Sequence, residues 1–139
     1  MTENKNILKE PPREAREEER TDKLTIRGIT PTYGVKWFDN QNANVVDIDL
    51  ELSNGNIIKQ RETFSFAPKS NLGKLVRVVL GIPENESLHE INIDEVLGKT
   101  VLGDITHWKT KRGDIFEKVK NFRALDDDTI KNALHDIMS

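Results

Sequence analysis

The chain has no cysteine. That excludes a disulfide framework and a thiolate metal centre, and it suits a reducing compartment. No apolar run approaches the ~18 residues of a membrane helix, so no membrane association is expected. The opening Met1-Thr2-Glu3-Asn4-Lys5 has no apolar signal core, so a cytoplasmic location is expected. Histidine is scarce too: His89, His107 and His135 are scattered, with no metal-binding spacing. A phosphate-binding loop is missing, because Gly73-Lys74 lies in a helical pattern without the preceding glycine. Gly-x-Ser-x-Gly is absent. Asp126-Asp127-Asp128 precedes a helical pattern, where acids complement the helix dipole. These absences argue against an enzyme, a cofactor and a metal.

Aromatic residues make up only 6% of the chain, yet they cluster. Tyr33-Gly34-Val35-Lys36-Trp37-Phe38 and His107-Trp108-Lys109-Thr110-Lys111-Arg112-Gly113 hold both tryptophans, the only tyrosine and four basic residues. Aromatic faces beside cations stack bases and hold the phosphates of a single strand. They also serve as ordinary packing at strand ends. The outcome depends on whether the fold brings the two segments together.

Net charge is -3, but it is uneven. Residues 1–22 carry five basic and seven acidic groups and are expected to form a disordered charged tail. Residues 23–123 carry fifteen basic and thirteen acidic groups and form the expected folded domain. Residues 124–139 carry one lysine and four aspartates and read as an acidic tail with a short helix, Thr129–Met138. Local basic patches steer a polyanion more than the total charge does. An acidic tail beside a mildly basic domain is expected to lie against that domain's basic surface when a polyanionic ligand is absent.

The hydrophobic pattern predicts strands. Leu24–Ile29 alternates, with Gly28 as a bulge candidate and Pro31 ending regular pairing. Thr30–Asn44 reads as a long loop or as one including a short strand at Val35–Phe38. Val46, Ile48, Leu50 and Leu52 alternate with Asp47, Asp49 and Glu51, as on a half-buried antiparallel strand. Asn54-Gly55 signals a hairpin. A three-residue turn pairing Leu52 with Ile58 and Val46 with Phe64 is expected. Ser70 caps a helix carrying Leu72, Leu75, Val76, Val79 and Leu80, with Lys74 and Arg77 outward and Gly81 as its stop. A short helical turn precedes Gly98. Thr100–Lys109 and Asp114–Arg123 are the last strands. On the final strand, either Val119 or the pair Phe116 and Phe122 points inward.

Three strands, a helix and two strands is the order of the OB-fold, so a mainly β, five-stranded Greek-key barrel is expected. Another small α+β sheet domain is the alternative. An OB barrel binds its ligand between the loops joining strands 1–2 and 4–5. Those loops would carry Tyr33, Lys36 and Trp37, and Trp108, Lys109, Lys111 and Arg112. Lys118 and Lys120 of the last strand would join them.

Ser70-Asn71-Leu72-Gly73-Lys74-Leu75, Leu80-Gly81, Ile93-Asp94-Glu95-Val96-Leu97-Gly98-Lys99 and the Gly113 turn carry a resemblance. Over roughly residues 45–123 the chain resembles phage and prophage OB-fold proteins, the single-stranded-DNA-binding-like accessories of replication or recombination. The resemblance implies single-stranded DNA as ligand, replication or recombination proteins as partners, and a bacterial host cell. The C-terminus lacks the proline-phenylalanine ending of bacterial single-strand-binding proteins. The rival expectation is a protein-interaction module, a phage inhibitor of a host system or a virion or scaffold component. It would use the same aromatics as hot spots. Whether the chain forms a homo-oligomer is left open.

Overall fold

The computed structural model describes residues 7–125. Five strands form one antiparallel sheet: β1 (Arg20–Trp37), β2 (Asn40–Glu51), β3 (Ile57–Thr63), β4 (Thr100–Lys109) and β5 (Ile115–Arg123). The helix α1 (Asn71–Leu80) lies between β3 and β4, followed by a single 3-10 turn at Ile93–Glu95. The order across the sheet is β3-β2-β1-β4-β5. The expected C-terminal helix lies outside the described residues.

β1 is much longer than its apolar stretch predicts. It pairs with β4 over Arg20–Thr25 and with β2 over Thr25–Trp37, so one strand belongs to two ladders. The register shifts between Ile26 and Gly28, where the bulge was expected. Pro31 does not end the strand. It sits opposite Val46, beyond the point where β4 leaves β1, so one side of the strand is unpaired there and a missing N–H is tolerated. The folded region also begins before residue 23, since Arg20–Asp22 already pair with Gly103–Ile105.

The β2 alternation holds: Val46, Ile48, Leu50 and Leu52 are buried, and so is Val45. The hairpin to β3 has the three-residue turn Ser53-Asn54-Gly55, with Gly55 at φ 88°. The Leu52 N–H donates to the Asn56 carbonyl at 2.7 Å. The register differs from expectation by two residues, pairing Leu50 with Ile58 and Val46 with Glu62. A shift of two keeps every side chain on its face, which is why the apolar pattern alone did not reveal it.

Ser70 caps α1 by accepting the Gly73 N–H at 2.9 Å, and Gly81 ends it at φ 67°. Such a cap contributes about 1 kcal/mol. Leu72, Leu75 and Val76 are buried against the sheet core of Leu24, Ile26, Val101, Ile105 and Val119. Each such side chain contributes roughly 1.5–3 kcal/mol before ordering costs. Gly73 lets α1 approach the preceding segment, because a Cβ there would lie 2.0 Å from the Ala67 carbonyl oxygen. Arg77 is not outward as expected. It is buried, donating to the carbonyls of Phe66 (3.1 Å), Pro83 (2.7 Å) and Glu86 (2.7 Å).

The sheet is not closed into a barrel by a backbone ladder. Its edges β3 and β5 meet through side chains instead. Gln60 bonds both backbone groups of Val119, and Asn71 donates to the same carbonyl at 2.9 Å. β5 resolves the inward-facing alternatives by using part of each. Val119 and Phe122 are both buried. Asn121 takes φ 56° at a register shift opposite Leu102–Asp104, which rotates the strand between them.

Candidate nucleic-acid interface

The aromatic segment of β1 is not a loop. β1 continues to Trp37, which pairs with Asn40 across the two-residue turn Phe38-Asp39. Phe38 adopts φ 53° there and is exposed. Its ring lies 4.9 Å from that of Trp37. The register shifts between Thr32 and Val35, across Gly34 at φ 65°, and again before Trp37. The alternation is broken, and Tyr33 faces a different surface, 6.0 Å from the Phe64 ring.

Trp108 and Phe116 are cross-strand partners on β4 and β5, with rings stacked at 4.9 Å and 24°. The Arg13 guanidinium lies 4.7 Å from the Phe116 ring centre. Phe116 is therefore already engaged, while Trp108 remains 47% exposed.

Trp37, Phe38, Trp108 and Phe116 line a single groove of about 370 Å³ together with Lys59, Arg61, Lys118 and Lys120. The two aromatic segments are therefore brought to one surface. The strip Phe116-Lys118-Lys120 faces this groove, whereas Phe122 belongs to the core.

Four of the nine expected residues lie in the groove: Trp37, Trp108, Lys118 and Lys120. Lys109, Lys111 and Arg112 lie at the β4–β5 turn next to Trp108 but do not line it. Arg112 is drawn away, pairing with Asp114 at 3.2 Å and Glu10 at 3.6 Å. Lys36 is exposed and does not line the groove, and Tyr33 contributes to another cleft, with Phe64 and Ile91. Lys59 and Arg61 were not expected there, and Phe38 lay in the expected aromatic segment without being singled out as a binding residue. The signal for the first two was the alternation of β3, where Ile58, Gln60 and Glu62 are buried and Lys59 and Arg61 face out.

The cations differ in their availability. Lys118 pairs with buried Glu62 at 3.3 Å, and Arg61 pairs with Asp47 at 2.8 Å. Lys59 and Lys120 have no carboxylate partner among the described residues.

The tail expected to be disordered has a defined path from residue 10. The Ile115 N–H donates to the Arg13 carbonyl at 2.8 Å, and the Arg13 N–H donates to Asp114 at 2.7 Å. The Glu117 carboxylate accepts from the Arg13 guanidinium at 2.8 Å and from the N–H groups of Arg16 and Glu17. Burial pushes the Glu117 carboxyl up, but Arg13 and these N–H groups outweigh it and hold it below the usual range. Glu17 is itself buried and accepts from Asn54 and Asn56, with the Asn56 bond the main cause of its lowered pKa. This attachment is polar, so the lack of apolar residues did not reveal it.

Among the described residues, no group of three or more His, Asp or Glu is placed to hold a metal ion. No helix there is long and apolar enough to cross a membrane. No protein-family model and no curated protein sequence matches the chain.

Proposed function

We propose that this protein binds single-stranded DNA in the groove between the β1–β2 hairpin tip, β3 and β5, on an OB-type fold. The observation that carries this is the meeting of Trp37, Phe38 and Trp108 with Lys59, Lys118 and Lys120 in one groove. The strand order, the helix between β3 and β4 and the Gln60 bridge between β3 and β5 support the OB reading. Exposed rings would stack bases, at about 1–3 kcal/mol each and largely without sequence choice. The lysines would hold phosphates through a salt-dependent term. Binding would need no catalysis and no cofactor. The resemblance to phage replication and recombination accessories supports a role in those processes inside a bacterial host cell.

A protein-interaction module is the second reading. It is favoured by the ion pairs that already engage Arg61 and Lys118. Fluorescence anisotropy with an unstructured oligonucleotide at two salt concentrations separates the two. Salt-sensitive binding that Trp108→Ala weakens supports DNA. No binding at low salt overturns it.

A further inference from the structure

The groove does not end at Phe116. Beyond it lies a second crevice of about 540 Å³ between β3 and the N-terminal segment. Both include Lys59, Phe116 and Glu117 in their walls, so they meet there. The far wall of the crevice is made by Arg13, Arg16 and Glu17.

The charges of this crevice are uneven. Its acids, Glu17 and Glu117, are both engaged. Glu117 has Arg13 and two backbone N–H groups; Glu17 has Arg20, Asn54 and Asn56. Two of its cations are not engaged. The exposed side chains of Arg16 and Lys59 have no carboxylate within ion-pair distance among the described residues. The Arg16 main chain is fixed by its N–H bond to Glu117, so its guanidinium is displayed from an anchored position. Ile57, 52% exposed on the β3 side, adds an apolar surface.

We propose that the nucleic-acid path runs from the groove past Phe116 into this crevice, and that Arg16 is a phosphate-binding residue supplied by the N-terminal segment. The proposal rests on the single-strand reading of the groove. Arg13, Arg16 and Glu17 thereby form one wall of the site and lengthen it. Lys59 stands at the junction and serves both halves.

The test compares Arg16→Ala and Arg16→Glu with the unaltered full chain, using oligonucleotides of about 4 and about 12 nucleotides, within the span of OB site sizes. The Arg16 side chain makes no bond that holds the fold, so both variants keep it; circular dichroism checks this. For the longer oligonucleotide, Arg16→Ala should lower affinity several-fold. It should also reduce the slope of log K against log salt by about 0.7, the loss of one single-strand phosphate contact. Arg16→Glu should weaken binding further, and the short oligonucleotide should bind all three proteins alike. Unchanged affinity and slope for the longer oligonucleotide, with Trp108→Ala still weakening binding, would overturn the extended path and leave the groove standing. No binding of either oligonucleotide to the unaltered protein would overturn both.

Discussion

Gln60 pairs with Val119 as a strand residue would. Its side-chain oxygen accepts the Val119 N–H at 2.8 Å and its side-chain nitrogen donates to the Val119 carbonyl at 3.1 Å. The same nitrogen donates to Glu62 at 3.0 Å. One amide thus replaces a backbone ladder between β3 and β5. Gln60→Leu would leave the buried Val119 N–H without a partner and remove a donor from Glu62. An orphaned buried group costs about 1–3 kcal/mol; Glu62 keeps Asn71 and Lys118, so a loss of about 1–3 kcal/mol is expected, mainly from the Val119 N–H. Urea unfolding measures it, and a midpoint unchanged from wild type would contradict the bridging role.

Gly73→Ala sets two effects against each other. Alanine favours a helix over glycine by about 1 kcal/mol. The new methyl would lie 2.0 Å from the Ala67 carbonyl oxygen, a backbone atom that cannot swing aside. Overpacking of this kind typically costs 1–3 kcal/mol, occasionally more. Net destabilisation of about 1–2 kcal/mol is expected, read as a lower thermal midpoint; a stabilised variant would show that α1 does not sit this close.

Trp108→Ala should weaken single-strand binding by about 1–3 kcal/mol, or roughly 5- to 150-fold, if the exposed indole stacks a base. Tyr33→Ala should leave affinity unchanged, since Tyr33 lies on another surface. Equal losses for both, measured by anisotropy titration, would count against this groove.

Acid stability should follow Asp104. The Thr21 hydroxyl, then Arg123 and Asn121, hold its carboxyl down at about 2. Its folded pKa is below the ordinary value of 3.8, so the contribution is present above about pH 4 and lost as pH falls towards 2. The cluster is partly solvated, so the effect is modest, under about 1 kcal/mol. Asp104→Asn should flatten this part of the stability curve between pH 4 and pH 2 in urea titrations. An identical slope would assign the acid sensitivity to other lowered carboxyls, Glu17, Asp22 and Glu117.

Much of the fold is legible where apolar period and end signals agree. The run Val46-Ile48-Leu50-Leu52 and the span from Ser70 to Gly81 each carry both, and each is found where expected. Three features rest on weaker signals. Phe38 and Asn121 turn the chain at positive φ without glycine, so neither the tight β1–β2 turn nor the twist of β5 stands out in the sequence. Arg77 looks like a surface cation, but carbonyls from residues 66, 83 and 86 gather around it. At the site, the aromatic-basic clusters identify Trp37 and Trp108, while Arg13 and Arg16 are hidden in a charged stretch whose partner, Glu117, is a hundred residues away.

That separation sets an order of assembly. Arg13 meets Glu117 across 104 positions of sequence. On the ribosome Arg13 emerges about a hundred residues ahead of Glu117. Glu17 can meet Asn54 and Asn56 once the β2–β3 hairpin exists, but the closing of the long loop to Glu117 comes late because its entropy is costly until the rest is in place. A chain halted before β5 would hold the hairpin of Trp37 and the helix but neither Trp108 opposite Phe116 nor the Arg16 wall.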